Sequence, residues 1–105
     1  ATVIGGLSRE VIRRLIQRQR GAVQYCYEQR LQASPELEGR LTVAFVIGPD
    51  GAVRSATVHS STLGDEPTES CVLDVVRRLI FPPNESGVIS VNYPFVFRAG
   101  DPVEE

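Results

Sequence analysis

Three side chains in this 105-residue chain carry reactive or metal-binding chemistry of the soft kind: Cys26, Cys71 and the single histidine, His59. Cys26 sits between two tyrosines in "QYCYEQ", and Cys71 lies in "ESCVLD". A structural metal needs three or four ligands in a recognisable spacing, and these three residues stand far apart, so the metal reading fails. A catalytic thiol wants an electropositive, partly exposed setting and a nearby base. Cys71 near a helix start meets half of that, and nothing aims His59 at it. Two readings of the cysteines stay open on the residues themselves: a pair of buried, reduced thiols, or a disulfide. A bridge would close a loop of about 45 residues, worth roughly 4 kcal/mol on the chain-entropy model. No Gly-rich phosphate loop, paired carboxylate spacing or nucleophile-base set is present, so no catalytic residue is assigned, and neither is a cofactor or a metal.

The elements that would position the cysteines follow from periodicity. "GLSREVIRRLIQRQRGAVQYCYEQRLQ" opens with Ser8 as an N-cap and Glu10 in the first turn, where the helix dipole favours an anion. Read as one helix, it gathers Val11, Ile12, Leu15, Ile16, Ala22, Val23 and Cys26 into an arc about 140° wide, with Tyr25 and Tyr27 at its flanks. Gly21 is the place for a bend, and Pro35 ends the helix. "GRLTVAFVIGPDGAVRSATVHS" reads as a hairpin. Leu41, Val43, Phe45 and Ile47 share one face, Gly48-Pro49-Asp50-Gly51 is the turn, and a bulge is expected near Arg54-Ser55. A second helix follows, capped by Asp65 with Pro67 in its first turn; Val72, Val75, Val76 and Leu79 form its apolar face. The last strand, "GVISVNYPFVFR", places Ile89, Val91, Tyr93, Phe95 and Phe97 on one face, and Pro94 assigns it to a sheet edge.

The expected fold is α+β, in the order αββαβ. A tight hairpin is antiparallel, and a right-handed helical crossover makes the second and third strands parallel to each other. Both hold in a three-stranded sheet of order 2-1-3 with two helices packed on one face. The domain is expected over residues 7–98, with 1–6 and 99–105 as flanking tails.

Composition narrows the function. The net charge is −2, with 42% hydrophobic and 23% charged residues, ordinary for a globular domain burying roughly 65% of its unfolded surface. Nothing in that balance attracts nucleic acid or an anionic membrane. All eleven basic residues are arginine. Arg9, Arg13 and Arg20 fall on one flank of the first helix and Arg14 and Arg18 on the other, whereas a groove-binding helix would gather them on one stripe. No apolar run approaches the roughly 20 residues of a membrane span, and "ATVIGG" has no signal-peptide pattern, so the chain reads as a piece of a longer protein.

Taken in order, Gly39, the alternation Val43-Phe45-Ile47, the Asp50-Gly51 turn, Val53, Val58 with Ser60-Ser61, a helix and the Phe81-Pro82 stop resemble the C-terminal domain of the TonB family of energy transducers. "YCYEQRLQASPELEG", "ESCVLD" and "NYPFVF" resemble one branch more closely, the TonB-like module of the AgmX/GltJ group of gliding-motility and envelope proteins. The resemblance implies a periplasmic module, tethered to the inner membrane by a part of the chain not present. It also implies that force from an inner-membrane motor complex passes to an envelope or outer-membrane partner gripped by strand addition. In an oxidising periplasm Cys26 and Cys71 are expected to be bridged. The expected gripping surface is the edge of the last strand: Val88, Ser90, Val91, Asn92, Tyr93 and Val96. That stretch carries no charge and retains several backbone donors. Coverage of this edge by the C-terminal tail, or by a second copy in a homodimer, is the competing expectation.

Overall fold

The computed structural model describes residues 2–4, 6–85 and 87–99. Its elements are β1 (Thr2–Ile4), α1 (Arg9–Arg18), α2 (Arg20–Leu31), β2 (Gly39–Ile47), β3 (Val53–Ser61), α3 (Glu66–Arg77) and β4 (Ile89–Phe97).

The hairpin forms where its turn chemistry predicts. Gly51 N–H donates to the Gly48 carbonyl at 2.9 Å, Gly48 N–H to that of Ala52 at 2.8 Å, and Asp50 Oδ1 accepts from Ala52 N–H. Gly51 has φ +91°, and a Cβ there would stand 1.8 Å from the Phe81 carbonyl oxygen. Glycine is therefore required twice over, for the turn and for the close approach of the chain leaving α3. Two register shifts interrupt the β2–β3 ladder, one at Arg54 as expected and one at His59, each leaving an extra residue on β3.

β2 lies between β3 and β4 and is antiparallel to both, so the three long strands take the order 2-1-3 anticipated from the hairpin and the crossover. The sheet carries one strand more than expected: Thr2–Ile4 pairs antiparallel with Ser90–Asn92 on the outer side of β4. β4 is thus not the outermost strand over that stretch.

The first helix is also different from the reading of one continuous rod. It breaks at Gln19, whose backbone (φ −99°, ψ 12°) is not helical and whose N–H turns back to the Ile16 carbonyl at 2.9 Å. The break precedes Gly21 and turns the second half. Tyr27 becomes fully buried, its ring 5.1 Å from Phe97, while Tyr25 is 62% exposed and Ala22 faces out. The predicted arc holds for Ile12, Ile16, Val23 and Cys26, which all enter the core.

The core is made by the inward faces of β2 and β4 (Leu41, Val43, Phe45, Ile47, Ile89, Val91, Tyr93, Phe95, Phe97) against Ile12, Ile16, Val23, Val72 and Val76 of the helices. Phe81 closes one end, its ring stacked 6.0 Å from that of Phe45. Cys26 of α2 and Cys71 of α3 are joined in a disulfide with Cα atoms 5.7 Å apart. Beside it Arg30 donates to Asp65 through Nε and Nη2 at 3.1 and 3.2 Å. Asp65 also caps α3, accepting from the Thr68 N–H and hydroxyl.

Candidate functional site

Where a sheet ends, unpaired N–H and C=O groups face outward, and which residues supply them is set by strand alternation. Arg40 N–H donates to Thr62 Oγ1 at 2.8 Å and its carbonyl accepts from Thr62 N–H at 2.9 Å, so Arg40 faces the β3 side. Gly48, also even-numbered, faces the same way through its bond to Ala52. The odd-numbered residues of β2 therefore turn toward β4, where they oppose Ile89, Val91, Tyr93, Phe95 and Phe97. The remaining residues of β4 (Ser90, Asn92, Pro94 and Val96) direct their backbone groups outward. Pro94 falls on the outward side, the position at which its missing N–H costs the β2 ladder nothing.

The two ends of the sheet are treated differently. On the β3 side, Arg77 Nη2 donates to the outward Ala56 carbonyl at 3.1 Å. Near the turn, Phe81 N–H donates to the Gly51 carbonyl at 2.8 Å and Ile80 bridges Ala52. α3 and its exit thus cover that edge at Ala56 and at the turn, and no described strand pairs with the outer side of β3. On the β4 side, β1 opposes Ser90, Val91 and Asn92, with Thr2 across from Asn92 and Ile4 across from Ser90. From Tyr93 to Phe97 no described strand pairs with the outer side of β4. That open stretch runs into a shallow groove of about 280 Å³ lined by Glu38, Gly39, Arg40, Val96, Phe97 and Arg98.

The residues singled out from the sequence divide into kinds. Val88 lies just before β4 and is 50% exposed; Ser90 is exposed, and Asn92 and Val96 are half-buried on the helix-free face. That face also carries Thr42, Ala44 and Val46 opposite Pro94, Asn92 and Ser90, all uncharged, with Arg40 opposite Val96 at its end. Val91 and Tyr93 are core residues whose backbone groups turn to β2. Pro94 joins the outward set through its carbonyl. Its parity, readable from the alternation of "ISVNYPFVF", was the signal available for it.

The titratable groups with shifted pKa lie on α2 or bonded to it. Bonds from Arg30 first, and from Thr68 second, hold the Asp65 carboxyl below the ordinary aspartate range. Burial, with the Glu38 charge adding to it, raises the Tyr27 phenol, whose hydroxyl donates to the Leu37 carbonyl. Arg9, Arg13, Arg14, Arg18 and Arg20 are all exposed, Arg13 standing 3.9 Å from Glu10. His59 is exposed at its bulge. Among the described residues no group of three or more His, Cys, Asp or Glu could hold a metal ion. Nor is any described helix long and apolar enough to cross a membrane.

No protein-family model matches the chain, and no curated protein matches it. Among solved structures, the chain is similar to the NMR solution structure of the Helicobacter pylori TonB C-terminal domain (residues 194–285). The TM-score is 0.56 at 21% identity, over 83% of this chain and 96% of that one. At that identity the likeness speaks for the fold, and the fold of this chain is that of a TonB C-terminal domain.

Proposed function

We propose that this domain is a non-enzymatic protein-interaction module that captures an extended segment of an envelope or outer-membrane protein as an added strand on the outer edge of β4. The observation that carries this reading is the asymmetry of the sheet. Arg77 bonds the β3 edge at Ala56 and the Ile80–Phe81 segment covers the turn beside it, whereas the β4 edge presents Val96 N–H and the Pro94 and Val96 carbonyls with no described strand or side chain against them. Proteins ordinarily block such rows, so an uncharged one left open is a template for strand addition. β1 supplies an example within the molecule, since it is an antiparallel strand seated on this same edge.

The TonB-like fold and the Cys26–Cys71 bridge support placing this activity in the periplasm, where disulfides persist. In that setting the domain serves a TonB-like transducer of the AgmX/GltJ kind. A part of the chain beyond these residues joins it to an inner-membrane motor, and the captured strand carries force for gliding motility or transport. Backbone pairing suits a load-bearing grip, because the ladder distributes force over several hydrogen bonds.

The test uses cells that make the full-length protein with a photo-crosslinking side chain at Val96 or, as a control, at Glu28 on the exposed side of α2. A discrete adduct with one envelope protein is expected from Val96, and Val96→Pro or Asn92→Pro in an otherwise folded protein should abolish partner binding by deleting an outward donor. An adduct from Glu28 and none from Val96 would place the interface on the helices and contradict the reading.

A further inference from the structure

The groups that a captured strand would need at Ser90 and Asn92 are those opposed by β1. By the alternation above, Asn92 and Ser90 exchange their outward hydrogen bonds with Thr2 and Ile4. β1 is three residues long. The hydrogen bonds a strand of this length makes are comparable in free energy to the entropy lost in ordering it. Seated and released states of such a segment therefore lie close together. Meanwhile the outward groups of Pro94 and Val96 extend the edge beyond the reach of β1.

We propose that Thr2–Ile4 is a built-in occluding strand, which fills the Ser90–Asn92 portion of the edge in the resting domain and leaves when a partner's strand pairs from Ser90 through Val96. The inference rests on the strand-capture reading and adds a regulatory step to it. An incoming strand has the advantage of length, because it gains the Pro94 and Val96 groups that β1 leaves unpaired. It is uncharged where it abuts Ser90, Asn92 and Pro94, whose side chains carry no charge, and beyond Val96 it meets the Glu38, Arg40 and Arg98 side of the groove. Occlusion lowers apparent affinity by the fraction of time the edge is open, so a segment seated about nine-tenths of the time weakens capture about tenfold.

The experiment compares the 105-residue chain, the same chain lacking residues 1–6, and Ile4→Pro, which deletes the N–H facing Ser90 without shortening the chain. The probe is an acetylated, amidated heptapeptide of alternating threonine and valine, titrated while the amide signals of Ser90, Asn92 and Val96 are followed by NMR. Both altered chains, with spectra as dispersed as the parent's, are expected to bind the probe about tenfold more tightly, with shifts at those amides. Equal affinity in all three chains, still at those amides, would overturn occlusion and leave strand capture standing. No shift at those amides in any of the three would overturn both. A concentration-dependent dimer of the intact chain that vanishes when residues 1–6 are removed would also overturn the proposal, by seating the segment on a second copy.

Discussion

Asp65 shows how one carboxylate can serve three neighbours. It accepts both guanidinium bonds of Arg30 and the N–H and hydroxyl of Thr68, and so ties the end of α2 to the start of α3. Asp65→Ala removes the cap and the ion pair together and is expected to cost about 2 kcal/mol. Asp65→Asn keeps a capping side chain and is expected to cost about 1 kcal/mol or less. Because the folded-state pKa of Asp65 lies below its unfolded value, its contribution is complete above the ordinary aspartate range and is lost as pH falls through the folded pKa. The stability gap between the parent and Asp65→Asn, measured by urea unfolding, should therefore be constant from pH 7 to about pH 5 and close below about pH 4. A gap that did not narrow at all as pH falls below the ordinary aspartate range would contradict the ion-pair account. Tyr93 makes the opposite case. Its hydroxyl is buried with no hydrogen-bond partner among the described residues, and an unmet buried hydroxyl costs about 1–3 kcal/mol. Tyr93→Phe should raise stability by about 1 kcal/mol in the same measurement; a clear loss would mean the hydroxyl is bonded.

At the scale of elements, the disulfide joins two helices that each expose one side to solvent. Cys26 is buried on α2 and Cys71 half-buried on α3, and their bridge closes a loop spanning 45 residues. Cys26→Ala with Cys71→Ala is expected to lower stability by about 3–4 kcal/mol while leaving strand binding intact, since both residues stand on the helices and not on β4. Loss of affinity in a still-folded double variant would tie the helices to the interface. The helices also mark where the sequence was harder to read. Ser8, Asp65 and the Gly48–Gly51 turn act through their own side chains and backbone, so their roles were legible. The break at Gln19 was not, because glutamine is an ordinary helix former and nothing in its side chain signals a stop. Continuing the helix through it put Tyr27 on a flank when it belongs in the core. β1 was missed for a related reason: "TVI" is shorter than the period needed to recognise a strand, and its pairing partner lies at the other end of the chain. For the candidate edge, the stretch was legible from Pro94 and the lack of charge. The division into core-facing Val91 and Tyr93 and outward Ser90, Asn92 and Val96 required the register.

For the whole molecule, the core and the proposed strand-binding edge draw on the same strand, β4. The odd-numbered side chains of β2 and β4 build the core; Phe45→Ala, at its centre beside Phe81, should cost about 3–5 kcal/mol in chemical unfolding. A near-neutral result would contradict the placement of that ring. The same strands leave the even-numbered backbone groups of β4 for pairing with something else, while Arg77 and Phe81 bond the β3 side at Ala56 and at the turn. Site-resolved amide hydrogen exchange along β4 tests this division most directly. The N–H groups of Tyr93 and Phe95, which face β2, should exchange at rates near those of global unfolding. Val96 N–H should exchange orders of magnitude faster, with Ser90 and Asn92 between the two. Protection of Val96 equal to that of Phe95 in the monomeric chain would mean that the outer edge of β4 is already paired along its length, and would contradict its role as an acceptor for a partner's strand.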